Sequence, residues 1–368
     1  MADRKPLPVL TREHVDAVRA MLLEDNIIID KMPESPYLRI GFHIAATYDR
    51  HVGGGWNMLW SRHELKEQGL LDDILLVYWD ILLDYFELNQ HRMHGMSKAD
   101  YLSFVIYLYC LKSTYSPNIT WRAGRSDPLF PKNPTERRPH FQDAMYDTYK
   151  PEPAMNAHQL RLFFARVGIQ TDEEIVLLMA GHTYGSARGF PYLGEFADSS
   201  GESNDLATTS RTSTCDVWGC YYKHLLTFEW EVGCPTFCST CMWSATWADK
   251  YEYNERDPYN TTWIAAPSNY TKPQAWGKVC EANLAKRGLV EYRNVGGENL
   301  MRLPVDIALL EDQRFRSIMV KYVGEEHRTQ FGLDFGRAYS KLLEVGVPEE
   351  HLYEVVRYTA NVPHQEGY

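Results

Sequence analysis

The stretch LRIGFHIAATYD, residues 38–49, sets Arg39 and His43 four positions apart. On a helix that spacing puts a guanidinium and an imidazole on one face, one turn from each other. A cation and a proton acceptor facing the same space can take a proton from a substrate and hold the charge that develops as a bond breaks. The same spacing also suits a solvated or structural pair, so the segment gains meaning only from the rest of the chain.

Working outward, the first third reads as successive helices. Residues 11–24 open on Thr11 as a cap and align Val15, Val18, Met21 and Leu22 on one face, and 71–88 and 98–111 carry apolar residues at spacings of three and four. A connector over 113–153, rich in Pro, Arg and Asp and containing WRAGR at 121–125, shows little periodicity and reads as a long loop over the surface or between halves. Residues 157–167 and 171–180 return to a helical pattern, the second with acids in its first turn, where the helix dipole favours them. A Ser, Thr, Gly and Asp loop over 194–214 precedes a short helix at 216–227. Residues 228–292 are crowded with Trp, Tyr, Pro and Cys and hold no sustained period. Helices return at 305–310, 313–323 and 330–345, the last with Gly346 as its C-terminal cap. The fold class is therefore mainly α, in two halves, 1–150 and 151–368, with an atypical aromatic and Cys-rich insertion at 228–292 in the second.

Composition narrows the function. With 368 residues and 44% hydrophobic content the chain can bury a large core, in one big domain or two closely packed ones. A formal charge of −11 denies it the basic face of a general nucleic-acid binder and suits a basic protein partner. No run reaches the roughly 18–20 apolar residues of a membrane span, so no transmembrane segment is expected. The opening MADRKPLPVL has neither a secretory core nor an Arg-rich presequence, and organellar import stays open because a removed presequence leaves no trace. Seven cysteines without a secretory signal imply a reducing compartment and free thiols.

Two further segments carry chemistry. In EIVLLMAGHTYGSAR, residues 174–188, His182 ends an apolar helix between Gly181 and Gly185, leaving room for a flat ligand against the backbone. A satisfied core histidine is the other reading. In MRLPVDIALL, residues 301–310, Asp306 is an acid among apolar neighbours, where an unpaired carboxylate is costly. An imidazole N–H is a natural partner for it; an exposed acid or a helix cap is the alternative.

Taken together and in this order, the three segments resemble the haem peroxidases of the plant, fungal and bacterial superfamily. The likeness is closest to the intracellular class that contains ascorbate peroxidase and cytochrome c peroxidase. Arg39-x-x-Phe42-His43 is similar to the distal helix, Ala180-Gly-His182-Thr-x-Gly185 to the end of the proximal helix, and Leu303-Pro-x-Asp306 to the proximal acid. SKADY at 97–101, WRAGRSD at 121–127, DQRFR at 312–316, Lys321-Tyr322 and the run from Phe335 to Gly346 match in register.

The resemblance implies a helical fold with haem b between distal and proximal halves. His182 would ligate the iron and Asp306 would hold its second nitrogen. His43 would act as the base, Arg39 as the group that stabilises the leaving oxygen of hydrogen peroxide, and Phe42 would pack over the haem face. Arg188, Ser186 and Thr183 would lie near the cofactor. The chain departs from the family at several positions. The Asn that accepts the distal imidazole's second N–H falls on Glu67, whose carboxylate can accept that bond. The redox-active Trp beneath the haem falls on Asp198 or Ser210, with Trp218 the nearest substitute, and the donor-binding Arg of ascorbate oxidisers falls on Pro191.

The implied function is reduction of hydrogen peroxide by an unidentified small reductant or cytochrome c-like donor. The alternative is a peroxidase-like accessory subunit with reduced or lost catalysis. A dimer or a place in a larger complex is expected, in the mitochondrion or otherwise in cytosol or plastid. Cys234, Cys238 and Cys241 have a spacing that can hold a metal or cluster. Six of the ten tryptophans lie from Trp218 to Trp276, which reads better as packed surface or a docking element.

Overall fold

Thr11 caps the first helix, α1 (Arg12–Glu24). Its hydroxyl accepts from the His14 amide at 3.3 Å while the His14 ring accepts from the Thr11 amide at 3.4 Å, a capping box closed by a histidine. Val15, Val18, Met21 and Leu22 are all buried, as their spacing predicts. This comes from a computed structural model that describes residues 9–25, 34–49, 53–67, 70–71, 73–112, 119–126, 155–183, 217–232, 252–253, 263–264, 292–294 and 301–358.

The chain forms two compact units. The first comprises Met1–Pro151, Arg161–Leu178 and Arg328–Tyr368; the second comprises Glu152–Leu160 and Met179–His327. The C-terminal segment thus belongs with the N-terminal one, whereas the sequence division at 150 assigns it to the second half.

In the first unit α1 is followed by α2 (Glu34–Ala46), α3 (Arg62–Glu67), α4 (Asp73–Leu88) and α5 (Lys98–Lys112). Helix α5 is buried nearly all round: Tyr101, Leu102, Phe104, Val105, Ile106, Tyr107 and Tyr109 are each 2% exposed or less, so it is the central helix on which α2 and α4 pack. The short α3, six residues and polar, carries no periodic signal and is absent from the sequence reading. Helices α6 (Ala157–Arg166) and α7 (Asp172–Met179) follow the connector.

The second unit holds α8 (Val217–Thr227), α9 (Pro304–Glu311) and α10 (Gln313–Val320); α11 (Arg328–Leu342) returns to the first. Helix α11 stops at Leu342, three residues short of the end read from sequence. A turn then carries the chain to Gly346, whose φ of +85° is the left-handed conformation that glycine adopts freely. The strands are two or three residues long. In the first unit β1 (Arg122–Ala123) pairs antiparallel with Tyr353–Glu354. In the second, Trp230–Val232, Tyr292–Asn294 and Met301–Arg302 form an antiparallel sheet in chain order, and Glu252–Tyr253 pairs with Trp263–Ile264. Among the described residues no helix is long and apolar enough to cross a membrane.

In the connector, read from sequence as a loop over the surface or between halves, the described residues 119–126 pack into the first unit. Trp121 is 1% exposed and Arg125 is 0% exposed. Arg125 donates to Asp100 at 2.9 Å and, through Nε and Nη2, to the Leu343 carbonyl at 3.0 and 2.7 Å. Asp100 also accepts the amides of Gly124 and Arg125 at 3.0 and 3.1 Å, and the Trp121 indole donates to Ser103 at 3.0 Å. A buried pair is tolerated because these bonds satisfy both ions, and the guanidinium fork ties the connector to the end of α11. Arg125→Met strands the Asp100 carboxylate; it is expected to cost about 3–5 kcal/mol, measured as a lower urea midpoint. An unchanged midpoint contradicts the brace.

Candidate active site

Helix α2 presents two different faces. Tyr37, Ile40, Ile44 and Ala45 are buried, while Arg39, Phe42 and His43 lie half-buried on the other side. The buried face is fixed from two directions. The Tyr37 ring stacks on Tyr109 of α5 with centroids 3.8 Å apart, and the Tyr339 hydroxyl of α11 donates to the Leu38 carbonyl at 2.9 Å. A Cβ at Gly41 would lie 2.7 Å from that hydroxyl, so the glycine between Arg39 and His43 is what lets α11 approach. Phe42 sits with its centroid 6.0 Å from Phe163 and 6.1 Å from Phe164 of α6, and 5.9 Å from the His43 ring, edge-on. The first unit therefore places Arg39, Phe42 and His43 on one helix face, with the imidazole braced by an aromatic cluster.

The second unit builds a different arrangement around Asp306. Pro304 takes the first position of α9, where its missing N–H is no loss, and Asp306 takes the third. From there one carboxylate oxygen, Oδ2, turns back to accept the Leu303 amide at 2.8 Å, half of a capping box. The other, Oδ1, lies 2.7 Å from His182 Nδ1 and accepts from the Tyr221 hydroxyl of α8 at 2.6 Å. His182 stands on a single 3-10 turn, Ala180–Thr183, that continues α7. Arg302, fully buried, lies with its guanidinium 5.0 Å from the Tyr221 ring centre and 5.1 Å from that of Trp230.

Electrostatics favour an ionised Asp306 and a protonated Tyr221. Burial raises the Asp306 carboxyl, but the His182 charge and hydrogen bond, the Arg302 guanidinium and the Tyr221 hydroxyl outweigh it and hold the acid below the ordinary carboxylate value. Burial, then the adjacent Asp306 charge, lifts the Tyr221 phenol far above its usual range, so it remains a donor. An ionised carboxylate beside His182 Nδ1 favours a proton on that nitrogen. The His182 side chain is 34% exposed although Asp306 is fully buried, and a Cβ at Gly181 would meet no described atom within 4 Å. A half-exposed imidazole with one nitrogen held by a buried carboxylate is a donor set that fits haem iron.

Other residues singled out by sequence fall differently. Glu67 ends α3 and Thr183 closes the 3-10 turn, but neither side chain is among those described. Ser186, Arg188, Pro191, Asp198, Ser210 and the cysteines at 234, 238 and 241 lie outside the described residues, and Trp218 is placed only as a backbone position in α8. Tyr221 was missed as a site residue. Its place in an apolar helix gives it the look of core, and only an acid that needs more than one donor points to it.

A family model described as peroxidase matches residues 36–325. A mitochondrial cytochrome c peroxidase of Cryptococcus neoformans var. neoformans is 24% identical over 313 residues, which cover 85% of this chain and 61% of that protein. The chain thus spans less than two thirds of that relative's length. A protein of Mycosarcoma maydis named "Putative heme-binding peroxidase" is 25% identical over 340 residues, 89% of this chain and 79% of its own. A mitochondrial cytochrome c peroxidase of Pyricularia oryzae is 24% identical over 330 residues, with coverages of 89% and 69%.

Asp306→Ala tests the cluster without any cofactor. It strands the Tyr221 hydroxyl and the Leu303 amide, each at about 1–3 kcal/mol, and removes a negative charge close to the buried Arg302. A marked fall in the urea midpoint of the haem-free protein is expected; an unaltered midpoint would show that these bonds do not stabilise the unit.

Proposed function

The chain belongs to the peroxidase family, and from that premise we propose that it reduces hydrogen peroxide to water, using haem b held by His182 and electrons from an external donor. The observation that carries the reading is the 2.7 Å contact between His182 Nδ1 and the fully buried Asp306, which leaves Nε2 as the open nitrogen. When bound, haem supplies an iron able to take up peroxide and the oxidising capacity that the donor afterwards quenches.

The chain's own residues supply the proton handling. His43 accepts the proton from the near oxygen of hydrogen peroxide and delivers it to the far one, which leaves as water. Arg39 faces the same space and steadies the charge on the departing oxygen. Phe42 packs edge-on against the imidazole. Asp306 keeps the His182 proton on Nδ1 and the ring in one orientation. Glu67 is proposed to accept the second N–H of His43, and Thr183, Ser186 and Arg188 are proposed to contact the cofactor's edge. Over a full cycle one peroxide, two electrons and two protons give two waters.

The donor is proposed to be a small basic redox protein of the cytochrome c kind, or failing that a small reductant. Two of the relatives are named for cytochrome c, and a net charge of −11 favours a basic partner. The same names support a mitochondrial location, ahead of cytosol or plastid. The aromatic segment 228–292 is proposed as the surface through which the chain dimerises or joins a larger complex. A second reading, an accessory subunit with little turnover, is favoured by one observation. The oxidisable tryptophan that the family likeness leads one to expect beneath the haem falls on Asp198 or Ser210 in the sequence, and neither is a tryptophan.

Absorption spectra before and after one equivalent of hydrogen peroxide separate the two. A haem band that shifts within milliseconds in the wild type, and about 10²–10⁴-fold more slowly in His43→Ala, is the result expected of a working enzyme. His182→Ala should fail to retain haem. A haem band that ignores peroxide supports the accessory reading, and a wild-type chain that takes up no haem refutes the assignment of His182.

A further inference from the structure

Asp306 Oδ1 accepts two hydrogen bonds, and they are of different kinds. One comes from the His182 imidazole at 2.7 Å, the other from the Tyr221 phenol at 2.6 Å, while Oδ2 takes only the Leu303 amide at 2.8 Å. Two donors on one oxygen compete for the same electron density. The more the phenol draws, the weaker an acceptor the carboxylate is for the imidazole N–H. The phenol cannot swing away, because Tyr221 is fully buried, Tyr222 packs edge-on with centroids 5.5 Å apart, and the buried Arg302 covers its ring at 5.0 Å.

We infer that Tyr221 is a positioning residue that tempers how strongly Asp306 polarises His182, and so sets the electron donation of that imidazole to haem iron. The inference rests on the reading of His182 as the iron ligand. Its logic is that of other residues one bond removed from a metal: a ligating histidine is tuned by the partner of its second nitrogen, and that partner by its own hydrogen bonds. Without the hydroxyl, Asp306 keeps its charge and directs more of it at His182 Nδ1–H. The imidazole then takes on more imidazolate character, strengthens its bond to iron and favours the ferric state. The Arg302 charge opposes this as well, so Tyr221 and Arg302 together restrain the acid, one by a hydrogen bond and one by its field.

The test compares haem-reconstituted wild type, Tyr221→Phe, Asp306→Asn and the double variant by resonance Raman and redox titration. Relative to wild type, Tyr221→Phe is expected to raise the ferrous iron–histidine stretching frequency and lower the ferric/ferrous potential. In the Asp306→Asn background the same substitution should move neither, because a neutral amide has no charge to temper. A merely structural role would move both backgrounds alike. Should Tyr221→Phe fail to fold, 3-fluorotyrosine placed at position 221 keeps the shape while making a stronger donor. It is expected to shift frequency and potential in the directions opposite to those given for Phe. Unchanged values in Tyr221→Phe or in the fluorinated protein overturn the inference while leaving haem binding by His182 intact. A wild type that binds no haem overturns that reading and this inference together.

Discussion

A carboxylate with no exposure to water is the constraint around which the second unit is arranged. Taking an ionised acid out of solvent is costly unless hydrogen bonds and an opposite charge compensate. Asp306 has all of these: an imidazole, a phenol, a backbone amide and the nearby Arg302. Each side-chain partner comes from a different element: His182 from the turn after α7, Tyr221 from α8, and Arg302 from the strand that leads into α9. Local structure serves the same end, since Pro304 starts the helix and puts the acid where its second oxygen caps the Leu303 amide. The acid is thereby held in one orientation, and His182 with it, before any cofactor arrives. On the proposed reading of His182 as the iron ligand, that is the preorganisation the ligand needs.

The first unit meets a different demand, which is to hold a cation and an imidazole half-exposed on an otherwise buried helix. It does so by fixing the back of α2. The Tyr339 bond to the Leu38 carbonyl, the close approach at Gly41 and the Tyr37–Tyr109 stack all act on the buried side. Helix α11 is in turn anchored beyond its end. The Trp56 indole donates to the Leu342 carbonyl at 3.0 Å, and Arg125 forks onto Leu343. The C-terminal segment is therefore a structural part of the Arg39–His43 face although it lies some three hundred positions away in sequence.

What was legible in the sequence follows from where physics leaves a periodic or costly mark. Helix α1 showed in its cap and spacing, and Asp306 showed because an acid among apolar residues demands a partner. The peroxidase likeness rested on short motifs, and the family match over 36–325 bears it out. Three things were hidden. The buried role of WRAGR was masked by its polar residues, since Arg125 looks solvent-facing until Asp100, twenty-five positions earlier, is brought beside it. Strands of two or three residues are too short for alternation to register, so 228–292 read as aperiodic. Tyr221 carried no mark at all, because a tyrosine in an apolar helix packs its ring as core whatever its hydroxyl does.

The central claim is that His182, oriented by Asp306, is the residue that binds the cofactor's iron. A crystal structure of the haem-reconstituted protein, with anomalous data at the iron edge, tests it most directly. The account predicts an iron peak at bonding distance from His182 Nε2, with Nδ1 still on the Asp306 carboxylate. Iron bound to any other side chain, or His182 turned so that Nδ1 faces the metal, would contradict it.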